Sequence, residues 1–224
     1  MKNILSFLML FSVYVLAAIE INVGNKKISL PPLDGMLHAS SVSQEVVNFL
    51  GQTQPSNLKT LDGYIERTDI VRLISGQDAV FDKYVIVVTP VASLSKDVTL
   101  KEFSQMKKYF RRKFDILLTK QKGIIKEFNQ IKTKVEKVVP LGINYETDTF
   151  LSASMLASVR MSSNNGTAEV ITQVATLNCV LIKNKLIFMY VYKKYKTEND
   201  LEWVKETGKK LVEEIIAINA VNVK

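Results

Sequence analysis

Carboxylates gather at three places in the chain: Asp62, Glu66 and Asp69; Asp78 and Asp82; and Glu146 and Asp148. Paired carboxylates serve as acid and base in glycoside hydrolysis, or ligate calcium. Each of these groups falls at a predicted turn or element end, where acidic residues accept local backbone hydrogen bonds, so they read as structural. No EF-hand spacing occurs. The chain holds one histidine and one cysteine, which removes most nucleophilic and metal chemistry. His38 follows LPPLDGML in what reads as a loop, with neither a nucleophile nor an orienting group nearby in sequence, and is expected to be solvated or capping. Cys179 alternates with Ala175, Leu177 and Leu181, which places it on one strand face as a small buried hydrophobe. There is no G-x-S-x-G elbow, H-E-x-x-H, C-x-x-C, glycine-rich phosphate loop or dinucleotide fingerprint, and no cofactor or metal is expected.

Charge is the more informative signal. Residues 96–137 hold 13 Lys or Arg against 5 Asp or Glu, whereas the rest of the chain holds 17 against 17, so the whole net charge of +8 lies in one segment. Projected at about 100° per residue, Lys101, Lys108 and Arg112 fall opposite the apolar side of a helix, with Arg111 at the margin. These four residues are the candidate partner-binding site. A basic ridge attracts an acidic protein or an anionic envelope surface, and otherwise only aids solubility. Nucleic acid fits poorly, because Phe103, Phe110 and Phe114 face the core and cannot stack on bases.

That helix is announced by a capping box, Thr99 with Glu102, followed by Leu100, Phe103, Met106, Phe110, Phe114 and Leu117 at spacings of three and four. Gly123 predicts a break, after which Ile124, Phe128, Ile131 and Val135 resume helical spacing, with the segment ending near Lys132. Upstream, IEINV and KKISL form a hairpin around Gly24-Asn25. SVSQEVVNFLGQ is a short helix capped by Ser43, with Val46, Val47 and Leu50 on one face. LKTLDGYIER is a strand, DIVRLIS a helical turn or two, and KYVIVVTP a central strand covered on both faces. Downstream, VEKVVPLGINYE, FLSASMLASVRMS, AEVITQVATLNCVLI and KLIFMYVYKKY are joined by ETD, NNGT (with Asn165-Gly166) and KN, which predicts a four-strand antiparallel meander. The last helix places Leu201, Val204, Gly208, Leu211, Ile215 and Ile218 on one face, with Gly208 permitting close approach to the sheet.

The start, MKNILSFLMLFSVYVLAAIE, sets Lys2 before an apolar run from Ile4 to Leu16 and a Val-x-Ala pattern, the form of a cleavable signal peptide, with cleavage expected after Ala17 or Ala18. Later apolar stretches are strand-sized, so no transmembrane helix is expected in the mature chain. Residues 1–17 are therefore read as signal peptide and 18–224 as a single α+β domain, largely antiparallel sheet with amphipathic helices packed on it, periplasmic or secreted. With 224 residues, 47% of them hydrophobic, the chain has the composition of an ordinary globular protein. A chain of that length buries about 70% of its unfolded surface on folding, enough to need no disulfide.

The stretches SLPPLDGMLHAS, YIERTDIVRLIS, KYVIVVTP, VVPLGINYETDTFLSAS and KLIFMYVYKKYKTENDLEWVKETGKKLVEEIIAIN resemble a group of uncharacterised, signal-peptide-bearing proteobacterial proteins over most of the mature chain. The resemblance implies export and a fold, and carries no catalytic residues. A cysteine often found near the YIERTDI stretch in that group is missing here. More distantly, the order of elements is similar to the PsbP-like fold, which implies an accessory or binding role. The expectation is an exported, non-enzymatic binding or accessory protein. The alternative is an extracytoplasmic hydrolase whose site is assembled from residues distant in sequence, around Asp62 to Asp82.

Overall fold

The computed structural model describes residues 18–52, 54–77, 79–120, 138–162 and 168–220. The predicted signal peptide, the helical continuation through Gly123, Ile124, Phe128, Ile131 and Val135, residue Asp78, and the Asn165-Gly166 turn lie outside these residues.

The chain opens with an antiparallel hairpin, β1 (Ile19–Val23) and β2 (Lys26–Leu30), turning at Gly24 with φ of 62°. Seven further strands form one sheet. They are β3 (Met36–His38), β4 (Leu58–Glu66), β5 (Lys83–Pro90), β6 (Val138–Glu146), β7 (Phe150–Ser162), β8 (Ala168–Ile182) and β9 (Lys185–Lys194). Their spatial order is β3-β4-β5-β9-β8-β7-β6, with every neighbour antiparallel. The predicted meander is therefore present as β6-β7-β8-β9. The β8–β9 turn is Lys183-Asn184, both residues at positive φ (50° and 64°), the two-residue hairpin whose twist matches its strands. As predicted, β5 lies in the sheet interior, and Val85 through Thr89 are all buried. The two edges are blunted: β3 has only three residues, and β6 carries Pro140 and two register shifts.

Five α-helices cover the sheet among the described residues: α1 (Gln44–Gly51), α2 (Arg67–Ile74), α3 (Val91–Ser95), α4 (Leu100–Lys120) and α5 (Glu198–Ala220). Ser43 caps α1 as predicted, its hydroxyl accepting from the Val46 amide at 3.4 Å. Strand alternation then divides the core into two faces. Val85, Val87, Ile187, Met189 and Val191 point toward α5 and the β1–β2 hairpin, packing with Val204, Leu211 and Ile215. On the other face, Ile65, Ile86 and Val88 meet α1 and α2, while Leu151, Leu177, Cys179 and Leu181 meet Phe103 of α4. The fold is α+β, with apolar strands covered on both sides. No helix among the described residues is long and apolar enough to cross a membrane.

The C-terminal helix buries Val204, Gly208, Leu211 and Ile215 as expected, but Leu201 and Ile218 are only partly buried. Asp200, Val212 and Asn219 are buried in addition, the polar pair because each finds partners at an end of the helix. Asn219 donates to the Ser29 carbonyl (2.8 Å) and accepts from the Ser29 amide (3.0 Å), supplying the strand partner that β2 lacks on that side. Asp200 caps the other end, accepting from the amides of Lys196 and Thr197 at 2.8 Å each and pairing with Lys193 at 2.8 Å. Burial alone would raise the Asp200 pKa, but the Lys193 ammonium and these amides outweigh it and lower it from 3.8 to about 2. A depressed carboxylate contributes stability above its unfolded pKa and loses it as pH falls through the folded value. Urea denaturation should therefore show wild-type stability falling between pH about 4 and about 2 more steeply than that of Asp200→Asn. Parallel pH profiles would contradict this capping role.

Candidate functional site

The basic helix is built as its sequence dictates. The Thr99 hydroxyl accepts from the Glu102 amide (3.2 Å), and a Glu102 carboxylate oxygen accepts from the Thr99 amide (2.8 Å), which closes the capping box at the start of α4. The inner face buries Phe103 and Phe114, with Met106 and Phe110 partly covered and the Phe110 and Phe114 rings stacked 5.2 Å apart. The expected stripe is corrected at its ends: Leu100 is 56% and Leu117 44% exposed.

Lys107 completes the inner face, a role that the sequence reading missed. Its ammonium donates to the Thr147 carbonyl, lies 3.2 Å from Glu146 and sits 5.5 Å from the centre of the Phe103 ring. Arg111 also donates to Glu146, through Nε at 2.7 Å and through Nη2. Burial would raise the Glu146 pKa, but Arg111 and Lys107 together hold its carboxyl below the usual range. Two of the cations of α4 are thus spent in fastening the helix to the end of β6.

The remaining predicted site residues stand apart from this clasp. Lys101, Lys108 and Arg112 are exposed, and no ion pair, hydrogen bond or ring contact engages them among the described residues. Arg111 is exposed as well, but its charge is answered by Glu146. The structure therefore brings Lys101, Lys108 and Arg112 onto one uncompensated face and sets Arg111 beside it. Lys113 lies 5.5 Å from the centre of the exposed Tyr109 ring.

The expectation for His38 is overturned. The residue ends β3, is 7% exposed, and sits opposite Tyr64 of β4 with ring centroids 4.5 Å apart. Its Nδ1 donates to the Asp62 carboxylate at 2.9 Å, and the other Asp62 oxygen accepts from the Ser40 amide at 2.9 Å. The 3-10 turn Ala39–Ser41 presents that amide. Asp62 is fully buried within a strand rather than at a turn. Burial, aided by the Asp62 and Glu214 charges, pushes the neighbouring Tyr64 phenol well above its usual range. His38 Nε2 is buried with no hydrogen-bond partner. An imidazole oriented by a carboxylate is two-thirds of a nucleophilic triad, but no hydroxyl or thiol among the described residues hydrogen-bonds to Nε2.

The other carboxylates do not converge on one place. Glu66 pairs with Lys83 at 3.1 Å, Asp69 accepts from the Val80 amide at 2.8 Å, and Asp82 pairs with Lys196 at 2.7 Å. No group of three or more His, Cys, Asp or Glu among the described residues could hold a metal ion. Cys179 is buried on the strand face shared with Ala175, Leu177 and Leu181, where burial pushes its thiol up to about 12 and suppresses the thiolate.

No protein-family model and no curated protein sequence matches the chain. Among solved structures it is similar to the Saccharomyces cerevisiae Ran-binding protein Mog1p, at 10% identity over 92% of this chain and 94% of that one, with a TM-score of 0.34. A mutant of Mog1 matches at the same identity and coverage with a TM-score of 0.36.

Proposed function

We propose that this protein is an exported, non-enzymatic binding or accessory protein that engages an acidic partner through the outward face of α4. The observation that carries the reading is the unpaired trio Lys101, Lys108 and Arg112, set beside two cations that share the Glu146 carboxylate. Solvent-facing cations without internal partners remain available to steer and hold an opposite charge. The signal-peptide pattern at the N-terminus and the resemblance to exported proteobacterial proteins support the compartment. The hydrolase alternative, around Asp62 to Asp82, would draw on the His38–Asp62 pair, but no nucleophile hydrogen-bonds to His38 Nε2 among the described residues.

Cross-linking in the native cell, followed by affinity capture, tests this reading. The triple variant Lys101→Glu, Lys108→Glu, Arg112→Glu should fold normally, since surface substitutions alter stability by about 0.5 kcal/mol or less each. It should lose the contact that the wild-type protein makes. Recovery of the same contact by both forms would remove α4 from the binding surface.

A further inference from the structure

We infer that the acidic partner is an anionic lipid surface, along which α4 lies with its axis in the plane of the headgroups; this deepens the binding role proposed above and rests on it. Two large side chains are exposed on the outward face of the same helix as the unpaired cations: Tyr109 (63%) and Ile116 (42%). Their placement is ordered. Taking Arg112 as the outermost point and turning about 100° per residue, Lys101 and Lys108 fall within about 40° on one side, and Ile116 and Tyr109 within about 60° on the other. One carboxylate, the exposed Asp115, shares that outward strip, about 60° from Arg112 beyond Lys108, against three unpaired cations. Glu102 lies further round and is occupied by Thr99 and Lys96.

Cations along one side of the strip, with a tyrosine and an isoleucine along the other, match the boundary between charged headgroups and acyl chains, where Lys and Arg meet phosphate and aromatic rings settle. The surface is the outside of a single helix, convex and backed by the sheet, so it meets a plane over its length without wrapping a chain segment. Phe103 stays packed on the sheet, and Lys107 and Phe114 stay buried, which limits insertion to Tyr109 and Ile116 and makes attachment reversible and salt-sensitive.

Vesicle sedimentation with the mature chain tests the assignment, using phosphatidylcholine vesicles with and without phosphatidylglycerol. The wild-type protein should bind the anionic vesicles and not the neutral ones, and rising salt should release it. The triple charge reversal should weaken binding by about 100-fold or more, at about two-thirds of a decade for each cation lost. The pair Tyr109→Ser, Ile116→Ser should weaken it less and leave the salt dependence unchanged. Absence of binding to anionic vesicles, or equal binding to neutral ones, overturns the lipid assignment. If vesicles fail while the charge reversal still abolishes a cross-linked protein contact in cells, the lipid assignment falls and the binding face stands; if the reversal changes neither, both fall.

Discussion

Replacing His38 by alanine should destabilise the protein by about 3 to 5 kcal/mol, the largest effect expected of any single substitution considered, because a buried hydrogen-bond partner and the packing of the ring are lost together. Asp62 has no exposure and two partners, the imidazole at 2.9 Å and the Ser40 amide at 2.9 Å. Removing the imidazole leaves the buried Asp62 carboxyl with a single hydrogen bond, and that unsatisfied acceptor adds to the cavity the ring leaves behind. The Asp62→Ala change alone should also be costly, since it strips the imidazole of its acceptor while Nε2 already lacks a partner. The double variant should be less destabilised than the sum of the singles, because neither an unsatisfied carboxyl nor an orphaned ring then remains. Chemical denaturation of the four proteins closes this cycle. Strictly additive losses would mean that the pair is not coupled and that His38 matters only as packing volume.

Gly208→Ala should destabilise the protein by about 1 to 3 kcal/mol, the cost of overpacking a close contact. The sign is the informative part: at an ordinary helix-interior position the same change stabilises by about 0.5 to 1 kcal/mol. A Cβ at Gly208 would stand 2.7 Å and 2.8 Å from the two Asn178 amide atoms and 2.9 Å from the Thr176 hydroxyl. Neither side chain is free to retreat. Thr176 donates to the Val204 carbonyl at 3.1 Å, and Asn178 donates to Thr176 and to the Met189 carbonyl at 3.1 Å each, both residues being fully buried. Trimming the obstacle with Asn178→Ala should recover part of the loss in the double variant. A stabilised Gly208→Ala protein would show that α5 stands off the sheet.

What the sequence made legible was local. The Thr99–Glu102 box, the Ser43 cap, the apolar run Tyr84–Val88 and the Lys183-Asn184 turn each depend on residues within a few positions of one another, and each appears where its pattern places it. Strand β3 is not legible as a strand, because three residues carry no period. The His38–Asp62 pair was invisible for a related reason: its members are 24 positions apart and meet only through the register His38 opposite Tyr64. Lys107 falls at an inward angle on α4, yet a lysine is taken for a surface residue until Glu146 and Thr147 appear beside it. Leu100 and Leu117 show the converse, since helical period gives the direction of a side chain but not whether another element covers it. For the candidate site, the sequence located the cations; only the structure separated Arg111, held by Glu146, from the three that are unpaired.

The measurement that bears most directly on the binding role of α4 is the salt dependence of attachment to the envelope of the native cell, comparing the wild-type protein with a variant carrying Lys101→Gln, Lys108→Gln and Arg112→Gln. Neutral glutamines remove the charges without introducing repulsion, so any change in slope reports the cations themselves. Wild-type attachment should weaken steadily as salt rises, and the variant should attach weakly with little response to salt. Identical salt profiles for the two proteins would contradict the assignment and place the contact elsewhere on the molecule.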